Sequence, residues 1–190
     1  GQSSKSFLQK VGEKVYHKYP FAREQAARGT AEAFLKADDL TRISSKNDPL
    51  SLIDNSGSKS NINLNHKAIL EIKDYLDVHG QVEGRKLMDY FSSAPYGWTK
   101  DTIRYISAAM LAAGEIVLKI GRDEIKIRKS AIAIQAYKKT QSFQKVGIRL
   151  REGKPNPDYL LKASERLATI TGEQVIPLEE EISKCVVTHF

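Results

Sequence analysis

Cysteine is almost missing from this chain: its 190 residues include one, Cys185. A single thiol closes no internal disulfide, and with Ile182, Val186 and Val187 around it the side chain reads as a small buried hydrophobe rather than a redox centre. Long apolar runs are missing too. No stretch approaches the ~18 apolar residues of a membrane-spanning helix, and the first residues hold no signal-peptide core. The expected setting is therefore soluble and cytoplasmic, with no membrane partner. Catalytic motifs are equally scarce. Neither GxxxxGK[ST] nor GxGxxG occurs, which excludes the commonest phosphate-cradling loops. The four histidines, His17, His66, His79 and His189, are scattered, without the CxxC, HExxH or HxxxH spacing that holds a metal. Glu179-Glu180-Glu181 follows Pro177 at a helix start, where the dipole favours acids. The expectations are no catalytic residue, no metal, no cofactor in this fragment and no enzyme.

What is present is a 41% hydrophobic composition, enough to bury a core in one large domain or two small ones. The chain starts Gly-Gln-Ser-Ser without Met and stops at Phe190, which implies a piece of a longer polypeptide. The most informative stretch runs from Asn65 to Arg128. Ile69, Ile72 and Leu76 recur at three and four residues, predicting a helix over His66–Val78 capped by Asn65 and ended by Gly80. A second helix starts near Gly84 with Leu87, Met88 and Phe91 on one face, until Ser92-Ser93-Ala94-Pro95-Tyr96-Gly97 breaks it. Thr99 caps a third helix that carries Asp101 in its first turn and ends at Gly114. The period then falls to two: Ile116, Leu118 and Ile120 alternate with Glu115, Val117 and Lys119, and Ile125 and Ile127 with Glu124, Lys126 and Arg128. A turn at Gly121-Arg122 or Arg122-Asp123 makes this a hairpin. Three helices and a hairpin in this order are a winged helix-turn-helix.

The flanks read as helical. Ser3 or Ser4 caps a helix through Lys18 that Pro20 closes, a second spans about Ala22–Ala37, and Asp48–Asn63 reads as a surface connection. Beyond the hairpin come a helix over Ser130–Lys139, a strand over Val146–Leu150, and helices over Asp158–Ile170 and Pro177–His189. The fold class is mainly α with a small β component (α+β), a winged-helix core flanked by N- and C-terminal helices. The expected divisions are 1–47, a connecting loop 48–63, the winged-helix domain 64–154, and C-terminal helices 155–190.

The net charge of +7 is concentrated. From Glu115 to Pro155 there are eleven basic and four acidic residues, which leaves nineteen of each sign in the rest of the chain. A basic wing beside a helix-turn-helix is an electrostatic footprint for phosphates. The third helix is a poor base reader, however. Ile103, Ile106, Met110 and Leu111 form its inward stripe, and its other side offers Lys100, Asp101, Arg104 and Tyr105 before giving way to Ala108, Ala109, Ala112 and Ala113. A helix apolar all round is a buried one. The candidate nucleic-acid-binding residues are therefore Lys100 and Arg104 on the helix and Lys119, Arg122, Lys126, Arg128 and Lys129 on and after the hairpin. They would contact backbone phosphates with low sequence specificity. Tyr96 and Trp98, set between Pro95 and Gly97, are expected to pin the turn to the core rather than stack on a base.

Pro95-Tyr96-Gly97-Trp98, Lys100-Asp101-Thr102-Ile103-Arg104-Tyr105 and Leu111-Ala112-Ala113-Gly114-Glu115-Ile116 together resemble the C-terminal region of the large P-loop ATPases of bacterial BREX phage-defence systems. The resemblance extends upstream through Tyr19-Pro20, Phe34-Leu35-Lys36-Ala37-Asp38-Asp39-Leu40, Asp48-Pro49-Leu50 and Val82-Glu83-Gly84, and downstream to Leu167, Thr171-Gly172 and Pro177-Leu178-Glu179. In that family the nucleotide-binding motifs lie elsewhere in a much longer protein, and no ATPase residue transfers to this segment. The resemblance implies a bacterial, cytoplasmic, non-catalytic module of a defence ATPase, with DNA, other defence-complex proteins and the rest of the parent ATPase as partners. The competing expectation is a structural or partner-binding module that joins the ATPase to other subunits.

Overall fold

The computed structural model describes residues 10–57, 60–153, 157–176 and 179–189. The chain divides into two compact units, residues 1–151 and 152–190. In the first, residues 10–15 are helical (α1); the Ser3 or Ser4 cap lies outside the described residues. Pro20 does not simply stop this helix but sits in the first turn of a 3-10 helix, Tyr19–Ala22. The helix expected over Ala22–Ala37 is shorter, Thr30–Lys36 (α2), beginning after Gly29. The reason is tertiary: the Ala26 amide donates to Thr102 Oγ1 at 3.0 Å, which a helical turn through Ala26 would have claimed.

The segment expected as a surface connection, 48–63, is anchored to the core near its start. Asp48 and Leu52 are buried, and the Asp48 carboxylate accepts the Leu52 amide at 2.8 Å, the Ile53 amide at 3.0 Å and the Tyr105 hydroxyl. Ile53–Asp54 (β1) and Asn61–Ile62 (β2) close a small antiparallel ribbon beyond it. A buried carboxylate with several donors fixes the segment to the core, because any lost partner would leave a desolvated polar group. The N-terminal helices and the winged-helix elements thus share one hydrophobic core.

The three helices stand where periodicity placed them: Lys67–His79 (α3), Gly84–Ser92 (α4) and Lys100–Ala112 (α5). One cap differs. His66, not Asn65, is the N-cap of α3, its Nδ1 accepting the Ala68 amide at 3.2 Å. Burial holds the His66 imidazole below its ordinary pKa, with Asp48 opposing, so the unprotonated acceptor that the cap requires is favoured. Thr99 caps α5 as expected, accepting from the Thr102 amide.

Strands Ile116–Ile120 (β4) and Asp123–Ile125 (β5) form the hairpin around Gly121-Arg122. Gly121 takes φ +63°, the left-handed backbone that a tight two-residue turn of type II′ requires at its first position. The hairpin does not stand alone. Val82–Glu83 (β3), between α3 and α4, and Gly147–Leu150 (β6) complete a four-stranded antiparallel sheet in the order β3-β6-β4-β5. Glu115 and Val117, expected to alternate away from Ile116 and Leu118, are buried as well, and Glu115 is met by Lys73 Nζ of α3 at 3.3 Å. Between the hairpin and β6 lie Ala131–Lys138 (α6), capped by the Ser130 hydroxyl, and a single turn, Thr140–Phe143 (α7). The second unit contains Pro157–Thr171 (α8) and Glu179–His189 (α9) packed on each other.

Candidate nucleic-acid interface

Helix α5 is the counterpart of a recognition helix, and it is the centre of the core. Every residue from Thr102 to Leu111 is buried. Helix α2 packs along it, and α3, α4, α7, β2 and β4 also touch it. A major-groove reader needs an open helical face with long polar side chains. Here that face is occupied by the protein itself.

Arg104 shows the consequence. Expected at the interface, it is 1% exposed. Its guanidinium donates to the Tyr137 carbonyl at 2.7 Å and the Arg28 carbonyl at 3.1 Å, and it pairs with Asp101. The fork-shaped donor array stitches α6 and the segment before α2 onto α5, a use suited to arginine. Ser107 and Tyr137 exchange a hydroxyl hydrogen bond of 2.7 Å beside it, and complete burial pushes the Tyr137 phenol above its usual range. Arg104 is thus corrected from an interface residue to a structural one. Lys100 alone of the helix candidates is exposed.

The hairpin candidates split in two. Arg128 is 9% exposed, and it donates to the Asp38 carbonyl at 3.3 Å, while Lys129 Nζ meets the Asp38 carboxylate at 3.1 Å. Both cations close the chain leaving β5 onto the end of α2. Lys119, Arg122 and Lys126 are exposed and make no ion pair among the described residues. Arg149, on the face of the sheet opposite Ile148, bridges to Glu124 at 3.2 Å and so neutralises one of the two acids of the wing.

Strand register then brings in side chains from elsewhere. Glu83, Gly147, Lys119 and Glu124 are successive cross-strand partners. The chain beyond that row, at the same end of the sheet, is Arg85 after β3, Lys145 before β6 and Arg122 in the turn. Arg85, Lys86 and Lys145 are exposed. Counting charge along the sequence found Lys145 but missed Arg85 and Lys86, some thirty residues upstream of the basic segment; the two-residue strand β3 that delivers them has no periodicity to read.

Trp98 and Tyr96 hold the turn before α5. Trp98 stacks on Phe91 at 5.0 Å with 11° between the rings, and its Nε1 donates to the Lys18 carbonyl at 3.2 Å. The Tyr96 hydroxyl donates to Glu71 Oε2 at 2.7 Å, and Lys18 Nζ donates to the same oxygen. Burial and the Glu71 carboxylate push the Tyr96 phenol far above its usual range, so it stays a donor. Neither ring is offered to a ligand. Among the described residues no group of three or more His, Cys, Asp or Glu is arranged to hold a metal ion, and no helix is long and apolar enough to cross a membrane.

No curated protein and no solved structure matches the chain. A family model does match, over residues 30–152: that of the BREX ATP-binding protein BrxC winged helix-turn-helix domain. The match opens at the first residue of α2 and closes just beyond β6, taking in the covered α5, the four-stranded sheet and its hairpin. The chain belongs to the family of the winged helix-turn-helix domain of the BREX ATP-binding protein BrxC.

Proposed function

We propose that this winged-helix domain is a non-catalytic, DNA-backbone-binding module of a larger cytoplasmic phage-defence ATPase, and that it contacts phosphates through its wing without reading base sequence. One observation carries the reading. Arg104 of the third helix and Arg128 and Lys129 of the chain after β5 are engaged by groups of the fold, whereas Lys100 and, on the hairpin, Lys119, Arg122 and Lys126 stand exposed without ion-pair partners among the described residues. Phosphate contacts confer affinity and positioning; base contacts, which α5 cannot make while it is covered, confer specificity. The module's task is then to hold DNA in place while nucleotide hydrolysis proceeds elsewhere in the parent protein.

The test is Lys119→Glu, Arg122→Glu and Lys126→Glu together, titrated against a fluorescent DNA duplex beside a thermal melt. Exposed positions tolerate such changes within about 0.5 kcal/mol each, so the variant should fold. Removing three phosphate contacts should lower the slope of log affinity against log salt by about 2.7 and weaken binding at low salt by orders of magnitude. A folded variant that binds as tightly as the parent would remove the wing from the interface.

A further inference from the structure

We infer that the phosphate-binding surface extends past the wing as a strip across one end of the sheet, made by Arg122 and Lys119 on the wing side and by Lys145, Arg85 and Lys86 on the other. It rests on the proposed DNA-backbone contact and names the residues that complete it. The strand order β3-β6-β4-β5, with Glu83, Gly147, Lys119 and Glu124 as cross-strand partners, puts the end of β3, the start of β6 and the β4–β5 turn on a common edge. Three inter-strand steps make that edge about 14 Å long. At ~3.4 Å of axial rise per nucleotide, this matches about four phosphates of one DNA strand.

Local packing fixes the far half of the strip. The Gly84 amide donates to the Val146 carbonyl at 2.8 Å, and the Arg85 amide to the Gln144 carbonyl at 3.1 Å. A Cβ at position 84 would lie 2.1 Å from the Phe143 carbonyl oxygen, so only glycine lets the start of α4 approach α7 this closely. With these two amides already satisfied, any anion at this place is met by the side chains of Arg85, Lys86 and Lys145. All three are exposed and have no ion-pair partner among the described residues. The sequence behind them has no acidic residue from Ile125 to Arg151. The acids that do sit at this end are Glu83, Asp123 and Glu124, and Arg149 already engages the last. Five cations against two unengaged acids leave the strip positive.

The experiment compares the 190-residue chain with Arg85→Ala/Lys86→Ala/Lys145→Ala by duplex anisotropy across a salt series. Loss of up to three phosphate contacts in the variant should lower the slope by as much as about 2.7 from the parent's, with weaker binding at every salt concentration. An unchanged thermal melt shows that the variant folds; if it does not, Lys145→Ala alone should lower the slope by about 0.9. A strip variant with the parent's slope and affinity overturns the extension while the wing reading stands. A parent that binds no duplex overturns both. Poly-glutamate competing as well as DNA at equal charge would overturn the phosphate assignment in favour of an acidic protein surface.

Discussion

Ala109→Glu should prevent residues 1–151 from folding cooperatively. Ala109 is fully buried near the end of α5, the helix on which α2, α3, α4, α7, β2 and β4 pack. A carboxylate there has to enter a close-packed core, where an unpaired ion costs several kcal/mol even after relaxation and the extra atoms strain their neighbours. Total stability of a domain this size is about 5–15 kcal/mol. A far-UV melt of the variant should show no cooperative transition, or one far below the parent's. A normal melt would mean that the alanine-rich half of α5 is not enclosed by this chain and lies open to a partner.

Trp98→Ala should be the most damaging single truncation in the turn before α5. The ring is 1% exposed, stacked on Phe91 and met edge-on by Tyr96 at 5.0 Å. Its indole N–H is the donor that ties the turn to the chain at Lys18. Deleting a buried tryptophan costs about 3 to 5 kcal/mol, which lowers Tm by roughly 10 °C or more for a unit of this length. Below that lowered Tm, DNA affinity should be unaffected. Lost affinity with an unchanged melt would instead make Trp98 a recognition residue.

The parts of the fold legible in the sequence are those whose signals are local. The periodicity of α3, α4 and α5, the Thr99 cap and the turn glycine Gly121 are read within a few residues of one another, and all stand in the structure. The errors arise where a distant residue decides. An alanine-rich run before Gly29 favours helix until Thr102, on another element, captures the Ala26 amide. Asn65 is the better cap by residue type, yet the His66 ring is the one positioned to accept. Ser- and Asn-rich residues after Asp48 look like a loose connection, but the carboxylate is locked to Leu52, Ile53 and Tyr105. Arg104 reads as the polar face of a helix, and only the positions of Tyr137 and Arg28 reveal that its charge is spent internally. The same limit hid Arg85 and Lys86. Charge clustering in space follows strand register, and register links residues 83, 147 and 119 that no sequence window contains.

On the proposed reading the domain holds DNA by its backbone and reads no sequence, because its third helix is closed. The most direct measurement is affinity for two duplexes of equal length and unrelated sequence at one fixed salt concentration. The two dissociation constants should agree within a factor of about three, whereas a base-reading protein separates its site from unrelated DNA by about 10³ or more. Preference of that size for one duplex would contradict the account, since it would require α5 or another element to reach base edges.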